Sequence, residues 1–186
     1  MMPNMWLRAL TVVTTVTMTL LAAGCGTRKE TNSVDHSLTE EAARQQIFSY
    51  LQKTADATGL GFSMQSDRPD PGSPLEPAGP VPCYDGYQER GPHQIQASYW
   101  VVGVPHGQVA GTFALLQRTW TNWGWRLDPE ATTTIAGLAT LDHYSFILRD
   151  SELGDGWLSV TGASPCFPYE GLGATTPQPT TIKPAS

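Results

Sequence analysis

Apolar and polar positions divide this chain into stretches of different period. Ala9 to Ala23 is an uncharged apolar run, rich in Thr, that holds Val12, Val13, Val16, Met18, Leu20 and Leu21. A helix follows further on. Ala43, Ile47, Tyr50 or Leu51, and Ala55 recur at helical spacing. Ser37-Leu38-Thr39-Glu40 before them has the spacing of a capping box, and Gly59 after them is a stop. Glu40 and Glu41 also suit the positive end of the helix dipole. Residues 67–82 carry a run of prolines, which forbids a helix and discourages a central strand. They read as a connecting loop, with a proline-rich ligand for a partner domain as the weaker alternative.

Gln94 to Val104 alternates and then turns continuously apolar, the pattern of a strand. After the turn at Pro105-His106-Gly107, the residues Val109, Phe113, Leu116, Trp120 and Trp123 form one apolar stripe, so a second helix is predicted. Gly124 ends it, and Trp125-Arg126-Leu127 starts an outgoing strand. Thr132 to Ile135 reads as a short strand. Asp142 to Arg149 places Tyr144, Phe146 and Leu148 on one face, and Trp157 to Gly162 returns with Leu158 and Val160 on one face, completing a hairpin. Residues 174–186 are Thr/Pro-rich and are expected to be disordered or extended. The order predicts an α+β fold: an antiparallel-rich sheet of about four strands with two helices packed on one face, and one disulfide. The strand–helix–strand unit from Gln94 to Leu127 suggests parallel strands joined by a right-handed crossover.

The cysteines add location. The first apolar run is shorter than the ~20 residues of a spanning helix, follows Arg8 and ends at Leu21-Ala22-Ala23-Gly24-Cys25. A positive residue, a short apolar core and small exit residues make a secretory signal, and the terminal cysteine makes a lipobox. Residues 1–24 are the predicted signal, 25–36 a lipidated tether and 37–173 a single domain, before the tail. The alternatives are an ordinary signal cut near Ala23 and an uncleaved helical anchor. A diacylglyceryl group on Cys25 holds firmly, because each buried methylene contributes about 0.8 kcal/mol and two chains suffice. With Cys25 assigned to lipid, Cys83 and Cys166 remain, and in an oxidising compartment such a pair reads as a disulfide.

The 186 residues carry a net charge of −6, one more negative once Arg8 leaves with the signal. The charge is dispersed, and no basic face for nucleic acid is visible. The search for chemistry returns little. His36, His93, His106 and His143 have no partners at zinc spacing, and Asp142 and His143 are neighbours on a predicted strand, so they face opposite ways. There is no GxSxG, GxGxxG or GxxxxGK[ST]. Asp150, Glu152 and Asp155 lie in a loop without EF-hand spacing and read as solvated. No base, nucleophile and orienting group assemble, so no catalytic residue, metal or cofactor is expected.

The lipobox cysteine, the early helix, a Cys before the first strand and the helix ending in Trp123-Gly124-Trp125 form a pattern. It continues in Tyr144-x-Phe146-x-Leu148 and in Leu158-x-Val160-Thr161-Gly162 running to Cys166-Phe167. This layout resembles the small cell-envelope lipoproteins of mycobacteria and related actinobacteria, of the LppA type. The resemblance implies location and fold and brings no catalytic residues.

Two functions fit these features. The first is a non-enzymatic lipoprotein on the extracytoplasmic face of the cell membrane, anchored through Cys25, that binds an envelope protein or wall component. The second is a carrier of a lipid or small apolar molecule, with a pocket between sheet and helix lined by Tyr99, Trp100, Trp120, Trp123, Trp125 and Trp157. The anchor has a direct test. Intact mass after detergent extraction should show an acyl increment on the native chain that is missing in Cys25→Ala; native protein without that increment refutes lipidation.

Overall fold

The computed structural model describes residues 33–67, 75–84, 90–151 and 157–185. The apolar run, Cys25, the tether up to Asn32, residues 68–74 of the proline loop, Glu152 and Asp155 lie outside these residues. The chain from Thr31 onward forms one compact unit.

The first helix, α1, spans Glu40–Thr58. Its cap is Thr39, whose side chain accepts the Ala42 N–H at 3.3 Å. Ser37, expected at the cap, is instead bound to the Asp35 carboxylate through both its N–H and its hydroxyl. Two hydrogen bonds to a charged acceptor hold it outside the helix. At the other end Gly59 takes a left-handed conformation (φ 73°) and its N–H returns to Ala55 O, as expected of a stop glycine. The second helix, α2, spans Val109–Asn122 and buries Thr112, Phe113, Leu116 and Trp120.

The strands are β1 (Gly61–Ser63), β2 (Gly79–Pro82), β3 (His93–Val102), β4 (Arg126–Leu127), β5 (Ile135–Ala139), β6 (Ser145–Asp150), β7 (Leu158–Ala163) and β8 (Thr181–Ile182). They join in one antiparallel sheet of order β4-β5-β6-β7-β3-β1-β8, with β2 also paired to β3. The fold is therefore α+β, but with eight strands rather than about four. The additional strands are short, and two of them contain the residues that discouraged the prediction. β2 holds Pro80 and Pro82, tolerated because it lies along an edge and pairs only with the first half of β3. β8 lies in the Thr/Pro tail, for which the sequence left disordered and extended chain as alternatives. β3 and β4 run the same way, but β7, β6 and β5 lie between them, so the crossover joins distant strands.

Alternation decides the faces. Ile95, Ala97, Tyr99 and Val101 of β3 are buried, as are Ala136 and Leu138 of β5, Phe146 and Leu148 of β6, and Leu158 and Val160 of β7. Both helices pack on the sheet from α1 onto β3 and α2 onto β6. Between them Trp120 stacks on Trp125 (5.4 Å, 22°), and Trp125 stacks on Phe146 (4.9 Å, 23°). The Trp120 indole N–H is satisfied by Thr54 Oγ1 at 2.9 Å. Cys83, just past β2, is joined to Cys166, just past β7, with Cα atoms 6.2 Å apart. No helix among the described residues is long and apolar enough to cross a membrane.

Gly162 marks the tightest contact of this core. A Cβ there would lie 2.8 Å from Phe146 Cε1 and 3.0 Å from Ile47 Cγ2. Gly162→Ala is expected to destabilise by about 1–3 kcal/mol and to lower the thermal midpoint; an unchanged midpoint would mean that helix and sheet are less closely apposed than described.

Candidate functional site

The six aromatic residues expected to line a pocket do not meet around one. Tyr99 and Trp120 are fully buried and Trp125 nearly so. The Tyr99 hydroxyl donates to Pro179 O at 2.9 Å, and burial pushes its pKa up to about 12. Trp123 is half-buried, edge-on to Trp125 and covered by Lys53 Nζ at 4.0 Å from its ring centre, a cation–π contact. These rings are core and its border. Trp100 and Trp157 lie on the opposite face of the sheet, edge-to-face at 5.5 Å and 80°. Cys25 lies outside the described residues.

Among the described residues no helix lies over that second face. β-Sheet register groups its side chains in rows. One row runs Ile135, Arg149, Ser159, Trp100, Ser63 and Thr181, and the next holds Ile147, Thr161 and Ser98. The Ser98 and Thr161 hydroxyls bond each other at 2.8 Å. Ile135 and Ile147 are 42 % and 45 % exposed, an unusual load for a solvated face. The Trp100 indole N–H is sheltered and has no acceptor among the described residues. The surface is thus flat, rich in hydroxyls and crossed by apolar rings.

A different feature escaped the sequence reading. Residues 172–185 lie as a strap along α1 and the outer edge of β1. Glu40, only 6 % exposed, accepts the N–H groups of Gly173 (2.8 Å) and Ala174 (3.3 Å) and pairs with Arg44 at 2.8 Å. Burial opposes its charge, but the bonds from Gly173, Arg44 and Ala174 outweigh burial and hold its carboxyl below the usual range. Glu41 accepts the N–H groups of Thr175 (2.8 Å) and Thr176 (3.0 Å) and the Thr176 hydroxyl. Farther on, Gln178 Oε1 accepts Ala78 N–H, Met64 N–H donates to Thr180 O, Gln52 donates to Lys183 O, and Asp56 accepts Ala185 N–H. The two glutamates that suited the helix dipole also clamp the tail. The β-branched run Thr180-Thr181-Ile182 was the available signal for a strand.

Between strap and helix runs an open groove of about 400 Å³, lined among others by Phe48, Gln52, Pro179 and Ile182. None of the six aromatic residues borders it.

The histidines stay apart. His93 is buried with Nδ1 2.8 Å from Gly91 O, while His36, His106 and His143 are exposed. Asp142 and His143 lie in the turn before β6 rather than on the strand. Asp142 accepts from the Tyr50 hydroxyl (2.8 Å) and from Thr140 (2.5 Å). Among the described residues no three His, Cys, Asp or Glu side chains are placed to hold a metal. Comparison with protein-family models, with curated proteins and with solved structures finds no match to this chain.

The clamp predicts a pH effect. Bonds from the Thr176 hydroxyl, then from the Thr176 and Thr175 N–H groups and Gln45, push Glu41 down from 4.5 to about 2. A carboxyl lowered by folding stabilises fully above its unfolded value and loses that contribution as pH falls through the folded one. The strap should therefore be secure above about pH 5 and loosen toward pH 2. Glu41→Ala should speed amide exchange at Thr175 and Thr176 by about tenfold at neutral pH; rates equal to those of the unaltered chain would rule out the clamp.

Proposed function

We propose that the chain is a non-enzymatic lipoprotein of the cell envelope, anchored through lipid on Cys25 and acting by binding a wall component. The lipobox at Leu21 to Cys25 and the polar stretch after it support the anchor. The likeness to small actinobacterial envelope lipoproteins agrees with that place. The observation that carries binding is the uncovered sheet face with Trp100 and Trp157 edge-to-face beside the Ser98–Thr161 hydroxyl pair. Sugar polymers present apolar ring faces and many hydroxyls, which such a surface matches with flat indoles and with hydroxyls that both donate and accept. The carrier reading is the weaker one, since the packed rings of Trp120, Trp125 and Phe146 fill the space it needed.

Co-sedimentation of the full chain with purified insoluble wall polysaccharide tests the reading. Trp100→Ala and Trp157→Ala should each weaken retention about tenfold or more, as truncation of an aromatic hot spot does, with the thermal midpoint nearly unchanged. No retention by any wall fraction, or equal retention of both variants, removes the face as the binding surface.

A further inference from the structure

The exposed apolar side chains are spread along the sheet. Ile135 lies toward the end where β6 leaves and β7 begins, three strands across from Trp100, and Ile147 lies midway along β6. Leu141, Tyr84 and Tyr169 lie at the other end. Leu141 is in the turn joining β5 to β6, Tyr84 follows β2, and the Tyr169 ring is 6.1 Å from that of His93 at the start of β3. The chain enters the domain at this same end: Val34 bridges Cys166, and Asp35 N–H donates to Cys166 O at 2.8 Å.

Leu141 is 82 % exposed, and it is held out rather than loose. Tyr144 N–H donates to Thr140 Oγ1 at 2.9 Å, Thr140 N–H donates to Tyr144 O at 2.8 Å, and the Asp142 carboxylate ties the turn to Thr140 and to Tyr50 of α1. A rigid turn therefore presents one large apolar side chain to the outside, with Tyr169 (39 % exposed) and Tyr84 (44 % exposed) at the same end.

The length of chain before the domain says what meets this end. The short stretch from Cys25 to Ser33 reaches on the order of 25–30 Å when fully extended. β3 alone, ten residues long, spans about 33 Å. A lipid on Cys25 thus keeps the entry end of the domain nearest the bilayer, and the far end cannot take its place without the tether running back along the whole sheet. Resting on the anchor reading above, we infer that the entry end is a second, protein-borne membrane contact. Leu141 enters the boundary between headgroups and acyl chains, and Tyr84 and Tyr169 lie at headgroup level, where amphipathic rings are favoured. Among the described residues this end carries the carboxylates Asp35, Asp142 and Glu170 and the cation Arg90, a balance that favours a zwitterionic over an anionic surface. Two of them, Asp35 and Asp142, are already engaged by Ser37 and by Tyr50 and Thr140. The contact turns the open sheet face and the Trp100–Trp157 pair away from the lipid.

The test uses the full acylated chain in phosphatidylcholine nanodiscs, with a nitroxide on Leu141→Cys and, separately, on Ile147→Cys. Collision with oxygen and with a water-soluble nickel chelate then gives depth. The label at 141 should meet oxygen in preference to the chelate by severalfold, and the label at 147 should show the reverse. Equal chelate access at both positions, in protein whose intact mass carries the acyl increment, overturns the contact and leaves the anchor standing. Protein without the increment overturns the anchor and this inference with it.

Discussion

The buried face of β3 is the interaction on which the remaining structure depends. Ile95, Ala97 and Tyr99 are fully buried there, facing α1, while the edges of the same strand hold β7 on one side and β1 and β2 on the other. Two helices cover one face of a wide antiparallel sheet, and no helix among the described residues covers the other. The Trp120–Trp125–Phe146 stack fills the space under α2 on the covered side. The uncovered side then carries Ser and Thr in rows, with two isoleucines and two tryptophans among them.

The margins are closed by specific bonds more than by apolar area. Strands of two residues, β4 and β8, end the sheet, which leaves little unpaired edge for other chains. The disulfide fixes the exit of β7 to that of β2, removing conformational freedom from the unfolded chain across a long loop. The acidic start of α1 holds the tail through charged acceptors, the stronger class of hydrogen bond. A segment without enough apolar residues to form a core can thus be ordered when a neighbouring element supplies acceptors for its N–H groups.

These features give the domain a near end and an outward face. The chain enters beside Cys166. On the proposed reading, the apolar side chains at that end would meet lipid and the hydroxyl and indole surface beyond it a polymer of sugars, with the sheet holding the two surfaces at a fixed separation.

The sequence alone determined both helices, the strands β3, β6 and β7 and the disulfide pair, because each had a local signal, whereas the short strand read at Thr132 to Ile135 is a turn that ends where β5 begins. Phe113, Leu116 and Trp120 recur at helical period, Phe146 and Leu148 at strand period, and Cys83 and Cys166 were the only thiols left to pair once Cys25 was set aside. The same periodicity put Trp120 and Trp123 on one helix stripe but could not separate them from Trp100 and Trp157, since it says which residues share a face only within one element. The cap moved from Ser37 to Thr39 because Asp35 outcompeted the helix for the serine. β2 was hidden by its prolines and β8 by its length of two residues, and both became strands only because β3 and β1 offered free edges. The roles of Glu40 and Glu41 as a clamp, and of Leu141 as a displayed side chain, depend on partners or on empty space far away along the chain. Periodicity reports local geometry; which distant groups arrive to fill or to leave vacant a given surface is a property of the tertiary packing.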